Sequence, residues 1–192
     1  MCNLERLEKS WAEIAALFSK TYSEVVTWPE GWPNEYGDIK ITDRGPILRR
    51  GAGGLEVVSR RWSWPSPNGK PVFNYVSEGR RFPSGRCLII CDGFYEFTAP
   101  PEGSPKSAKK TKWLFTMPGQ EVFGIAGIFR PWQDSEAWTM LTAAPGPDVA
   151  PYHNRQIIPL SLQAGMRWID GAPEAEILRP GPAGSLAVRQ AA

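Results

Sequence analysis

Histidine is nearly absent from this chain: one imidazole, His153, serves all 192 residues. Beside it stand only three cysteines, Cys2, Cys87 and Cys91. That is too sparse a set for a Cys/His zinc cage, so no metal and no cofactor is expected. An odd cysteine count in a chain with no export signal argues against a disulfide framework. The opening MCNLERLEKSW has acidic residues and no apolar stretch, so it does not read as a signal peptide. No apolar run approaches the ~18 residues of a membrane span. A cytoplasmic protein is therefore expected. Excess charge is missing too. A formal net charge of +2 neither demands nor excludes a nucleic-acid partner.

What is present suits an ordinary globular chain. Hydrophobic residues make up 42% and charged residues 22%, which is enough apolar material for one sizeable core. The reading is one domain over residues 1–180 followed by a flexible tail, 181–192. Cations are clustered. Eight arginines fall between Arg44 and Arg86, and Lys106, Lys109, Lys110 and Lys112 follow. Such a run suits a phosphate-binding face and equally a solvated surface. The nine tryptophans are mostly expected in the core or lining a groove, where some could stack on unpaired bases.

Leu4, Leu7, Trp11, Ile14, Leu17 and Phe18 recur at spacings of three and four, which predicts an amphipathic helix over 4–18. Val25–Tyr36, rich in Trp, Pro and Gly, reads as irregular. Short β-like runs follow: Pro46–Arg49, Leu55–Trp64, Pro71–Val76, Arg86–Phe97, Lys112–Met117, Val122–Phe129 and Ala137–Leu141. Gly- and Pro-rich turns separate them. Thr98–Lys112 is a long, polar, basic loop. Short helices are expected around Leu162–Ile169 and Pro173–Leu178. Many short strands with few helices predict an α+β, β-rich domain with a strongly bent sheet or open barrel. Cys87 and Cys91 sit in the apolar run RCLIICDGF and are expected in the core.

Cys2 stands apart. If Met1 is removed, Cys2 carries an α-amine and a thiol on one residue. The two groups titrate near ~8 and ~8.5, so both are partly nucleophilic at neutral pH. The amine can attack an aldehyde to give an imine, and the thiol can close on the imine carbon to give a thiazolidine. No internal cysteine can do this.

Four segments share an order: Met1-Cys2-Asn3; KPVFN ending at Asn74 and leading to Glu78; RCLIICDGFYEF, from Arg86 to Phe97; and Leu141-Thr142 with DVAPYHNR, ending at Arg155. This series resembles the SOS-response-associated peptidase (SRAP) family over nearly the whole chain. The resemblance implies a β-rich fold whose positively charged groove has the N-terminal cysteine at its floor. It implies trapping of abasic sites in single-stranded DNA as a thiazolidine crosslink, self-processing peptidase activity limited to Met1, and lyase activity as an accessory. The implied partner is single-stranded DNA carrying abasic sites, met by a monomer that is nucleoid-associated when bound.

The roles carry over by position. Asn74 would hold the sugar or the Cys2 amine. Glu96 would relay protons during imine formation, and His153 would open the sugar ring. Arg155 and Thr142 would meet the DNA backbone or support the site. There are departures from the pattern. Asn3-Leu4 replaces Gly-Arg after the cysteine, and Tyr75-Val76 follows Asn74 where relatives have Asn-x-Arg. Two phosphate-binding arginines are thus missing. Arg80 and Arg81, or Arg60 and Arg61, are candidates to compensate. Trp62 and Trp64 occupy the region of the family's DNA-wedging turn. Two other readings remain open: a noncovalent single-stranded DNA-binding module, and an N-terminal-cysteine peptidase that acts on proteins.

Overall fold

The chain is described from a computed structural model covering residues 2–29, 36–105 and 107–191. Its strands are β1 (Leu4–Leu7), β2 (Gly37–Lys40), β3 (Arg44–Gly51), β4 (Gly54–Trp62), β5 (Trp64–Pro65), β6 (Pro71–Val72), β7 (Asn74–Val76), β8 (Arg86–Cys91), β9 (Gly93–Thr98), β10 (Thr111–Thr116), β11 (Phe123–Trp132), β12 (Ser135–Ala143), β13 (Gln156–Ile157), β14 (Pro159–Leu160) and β15 (Ala187–Gln190). Three helices accompany them: α1 (Trp11–Thr21), α2 (Leu162–Ile169) and α3 (Glu174–Ile177).

The β-rich α+β reading holds, and the bent sheet goes on to close. In the larger sheet β12, β4, β3, β8 and β11 are neighbours in turn, and β11 also pairs β12. Those five strands form a closed barrel. All contacts in the ring are antiparallel except β12 with β4. Closure removes the exposed edges of an open sheet. A second sheet, ordered β15-β10-β9-β1-β2, packs beside it.

Stacked Trp62 and Trp138 fill the barrel wall with ring centroids 5.2 Å apart, both rings fully buried. Cys87 and Cys91 are buried free thiols, as their apolar setting predicts. Helix α2 lies close against the barrel because glycine makes room. A Cβ on Gly165 in α2, or on Gly124 in β11, would overlap the side chain of fully buried Leu88. Leu88 is confined from both directions. Gly124→Ala should therefore lower stability by ~1–3 kcal/mol through overpacking. An unchanged urea midpoint would show that Leu88 has somewhere to go.

The predicted helix over 4–18 needs correction. Leu4–Leu7 is strand β1, paired with β2 on one side and β9 on the other, and the helix starts only at Trp11. Spacings of three and four cannot exclude a strand over four residues. Ladder hydrogen bonds on both edges decide for the strand, while a capping box sets the helix start: Glu13 N–H donates to Ser10 Oγ, and Ser10 N–H donates to the Glu13 carboxylate. The expected strand over Arg86–Phe97 is two strands. Asp92 lies at the break, accepting from Glu8 N–H, Lys9 N–H and Arg6 Nε.

The tail past Pro180 was expected to be flexible and instead forms β15 on β10. Leu186 is buried, and Asp148 accepts from Gly184 N–H and Leu186 N–H. Composition cannot register this order, because the partners come from distant sequence. The expected irregular stretch over 25–36 reaches into residues 30–35, which lie outside the described residues. No helix among the described residues is long and apolar enough to cross a membrane.

Candidate active site

Strand β1 runs between β2 and β9, and this threading carries the start of the chain into the protein. Cys2, just before β1, is completely buried, and its thiol donates to the Leu4 carbonyl at 3.4 Å. Burial raises the thiol well above its ordinary value, and nearby Glu96 adds to the effect.

Glu96 reaches Cys2 through strand alternation. Phe94 pairs with Glu5 across β9 and β1, and residues two apart share a face, so Glu96 points inward with Phe94. A glutamate that would be solvent-exposed at the end of most strands is here 2% exposed. Its carboxylate accepts the backbone N–H of Cys2, and burial pushes its pKa up to about 7.

Asn74 arrives on β7, which pairs in parallel with β12 so that Asn74 sits opposite Met140. Its amide Nδ2 donates to the Cys2 carbonyl at 2.8 Å. His153 comes from the turn between β12 and β13, where its own backbone N–H donates to the Val149 carbonyl. The Arg155 N–H donates to His153 Nδ1 at 3.0 Å. The Arg155 carbonyl lies 3.1 Å from the same nitrogen, so Nδ1 accepts from the amide in one tautomer and donates to the carbonyl in the other, and burial lowers the pKa of the ring below its usual value. Glu96 and His153 line one cleft of about 510 Å³, together with Asn3, Leu4, Lys40, Ile41, Phe97 and Lys110. That volume is typical of small-ligand sites.

The structure thus brings Cys2, Asn74 and Glu96 into contact and sets His153 on the same cleft as Glu96. The cleft holds one acid–base group, Glu96, at the nitrogen of Cys2 and a second, His153, on its wall, and has room for a sugar-sized ligand. Other predicted residues stand elsewhere. Arg155 forks onto the Glu78 carboxylate at 2.6 and 2.8 Å and also donates to Thr142 Oγ1 at 3.1 Å. This pairing holds the Glu78 carboxyl at about 2. Arg155 and Thr142 therefore brace the His153 turn against β12 and β7.

Arg80 stacks over the Tyr75 ring at 4.7 Å, and with Arg81 it lines a separate cleft beside α3. Trp62 is fully buried, stacked on Trp138, and donates its indole N–H to the Phe73 carbonyl, so no base can reach its face. Trp64 is nearly buried, with the Arg130 guanidinium 4.3 Å over its ring. Aromatic count alone cannot separate a stacking platform from a core ring. Val76, two residues after Asn74, is exposed.

Sequence reasoning missed two lysines of the cleft. Lys110 had a signal in the basic loop before β10. Lys40 had none, because its place depends on β2 pairing with β1. Also missed was Glu5, buried opposite Phe94 on β1.

Comparison with known proteins bears on the whole chain. Residues 1–191 match the family model described as SOS response associated peptidase (SRAP). Solved structures share the fold. A Bordetella bronchiseptica protein is 21% identical with a TM-score of 0.72, covering 100% of both chains. A phage-related protein from the same organism is 19% identical with a TM-score of 0.75, covering 99% of this chain and 94% of its own. A Bacteroides thetaiotaomicron protein is 15% identical with a TM-score of 0.70, covering 98% and 91%. No curated protein matches.

Proposed function

Since the chain belongs to the SOS response associated peptidase family, and so to a DNA-damage-associated group, we propose that it traps abasic sites in single-stranded DNA through Cys2. One observation carries the reading: the Glu96 carboxylate accepts the N–H of Cys2 at the edge of a sugar-sized cleft. Once Met1 is hydrolysed away, that nitrogen becomes the α-amine. Met1 itself lies outside the described residues.

The chemistry then runs in a balanced sequence. In the tautomer that carries its proton on Nε2, His153 donates to the ring oxygen of the closed sugar and favours the open aldehyde. The α-amine attacks the aldehyde carbon, and Glu96 takes the proton the amine loses. Glu96 returns that proton to the alkoxide, giving the carbinolamine, and then relays the remaining nitrogen proton to its hydroxyl, which leaves as water to give the imine. The Cys2 thiol adds to the imine carbon, its proton goes to nitrogen, and a thiazolidine results. The net change is aldehyde plus aminothiol to thiazolidine plus one water. Asn74, bonded to the Cys2 carbonyl, holds the aminothiol in position throughout. A carboxyl titrating near 7 suits both directions of proton transfer at neutral pH.

The test is intact-mass spectrometry after mixing with single-stranded DNA that carries one abasic site. The expected species is protein without Met1, plus DNA, minus one water. Full recovery of unmodified protein would reject the reading. Glu96→Gln should slow adduct formation by at least ~10-fold, toward the ~10²–10⁴-fold span of general acid–base effects, and remove any inflection of rate near pH 7. A pH–rate profile of both proteins checks this.

A further inference from the structure

The cations that would meet a DNA backbone at the cleft have to be found in the fold. Around the cleft, most are spent. Arg155 is forked onto Glu78, and Arg6 onto Asp92. Lys112 pairs with Asp38 at 3.3 Å and lies over the Tyr95 ring at 3.7 Å. Arg80 is stacked on Tyr75 and faces the other cleft.

Two cations remain. Lys40 at the end of β2 and Lys110 at the end of the β9–β10 loop both line the cleft with Glu96 and His153. Both are exposed, and among the described residues neither forms an ion pair. A cation held by a carboxylate must lose that partner before it binds phosphate, whereas these two need lose only water. They reach one cleft from two separate chain segments, β2 and the β9–β10 loop. Among the described residues that line the cleft the only carboxylate is Glu96, and one carboxylate against two lysines leaves the mouth net cationic.

We infer that Lys40 and Lys110 form a phosphate clamp at the mouth of the cleft, binding the phosphodiesters on either side of the sugar that enters it. The inference rests on the proposed reading that single-stranded DNA is the ligand. Lysine is a point-charge binder without the bidentate fork, so the clamp would hold the backbone with little geometric selectivity.

The experiment uses the full chain with Met1 removed and a labelled single-stranded oligonucleotide. The oligonucleotide contains a tetrahydrofuran abasic analogue, which has no aldehyde and binds reversibly. Anisotropy is read over a salt series for the wild type, for Lys40→Ala/Lys110→Ala, and for Lys40→Arg/Lys110→Arg. Two lost phosphate contacts should reduce the slope of log K against log salt by about 1.4, at ~0.7 per contact on a single strand. Affinity at low salt should fall at least ~10-fold, and the arginine pair should restore both. An unchanged slope and affinity in the alanine pair, or no wild-type binding at low salt, would overturn the clamp. The two proposals fail separately. A wild-type protein that shows this salt behaviour yet forms no adduct with true abasic DNA would reject trapping and support the clamp.

Discussion

Cys2→Ser should fold normally and form no denaturation-resistant adduct with abasic DNA. The substitution is nearly isosteric at a fully buried position, and the hydroxyl can keep the bond to the Leu4 carbonyl that the thiol makes. What it loses is sulfur. The α-amine of the variant can still condense with the aldehyde beside Glu96, so the imine should persist. An oxygen ring closed on that imine reverts readily, unlike the thiazolidine. The expected gel therefore shows no adduct after denaturation, and a band that returns when borohydride is added before denaturation. Cys2→Ala should behave in the same way, which separates amine chemistry from thiol chemistry. A stable adduct of full yield without borohydride in either variant would move the reactive centre away from Cys2.

Glu5→Met should stabilise the protein, and increasingly so as pH rises. Glu5 is fully buried, and neither carboxyl oxygen has a hydrogen-bond partner. The carboxyl lies beside bare Gly45, where a Cβ would come within 3.2 Å of Oε1 and of the Trp138 ring. Burial, reinforced by the charge of Asp92, raises its pKa well above the ordinary value. The folded state therefore keeps a proton that the unfolded state releases above ~4.3. By linkage, unfolding free energy falls as pH rises through that window, and below it the group carries no penalty. Keeping such an acid neutral in the fold above the pH at which the unfolded chain releases its proton lowers stability, a cost that methionine of similar length avoids. The melting temperature of the variant should exceed that of the wild type by most near neutral pH, and the difference should shrink as pH falls toward about 4.5. Thermal melts across that range decide it. A gain independent of pH would mean that Glu5 is not held protonated. A buried acid that lowers stability is a poor structural choice. It lies close enough to Cys2 and Cys91 that its charge would raise both thiols further.

How much was legible in the residues differs from element to element. The core strands and α2 were visible because apolar runs and turn residues are local signals. Helix α1 was visible but began too early, since four residues of Leu-Glu-Arg-Leu satisfy either period. Trp62 could be read as a DNA-wedging ring because an indole suits a core as well as a groove, and only the Trp138 ring stacked on it shows that it is a core ring. Arg155 carried a charge suited to phosphate, but Glu78 is 77 positions away in sequence, and no spacing announces that fork.

By itself the sequence determined the chemistry on offer: one histidine, a cysteine at the second position, a glutamate ending an apolar strand, and the motif order that identifies the family. Those are properties of residue types and their order along the chain. Tertiary structure alone decided that Glu96 touches the nitrogen of Cys2, that the barrel closes through β11 and β12, that Glu5 is buried without a partner, and that Lys40 and Lys110 are the cations left uncommitted at the cleft. Each depends on pairing between distant segments. That pairing sets burial and charge neighbours, and these in turn set whether a carboxyl holds its proton and whether a cation is available to bind.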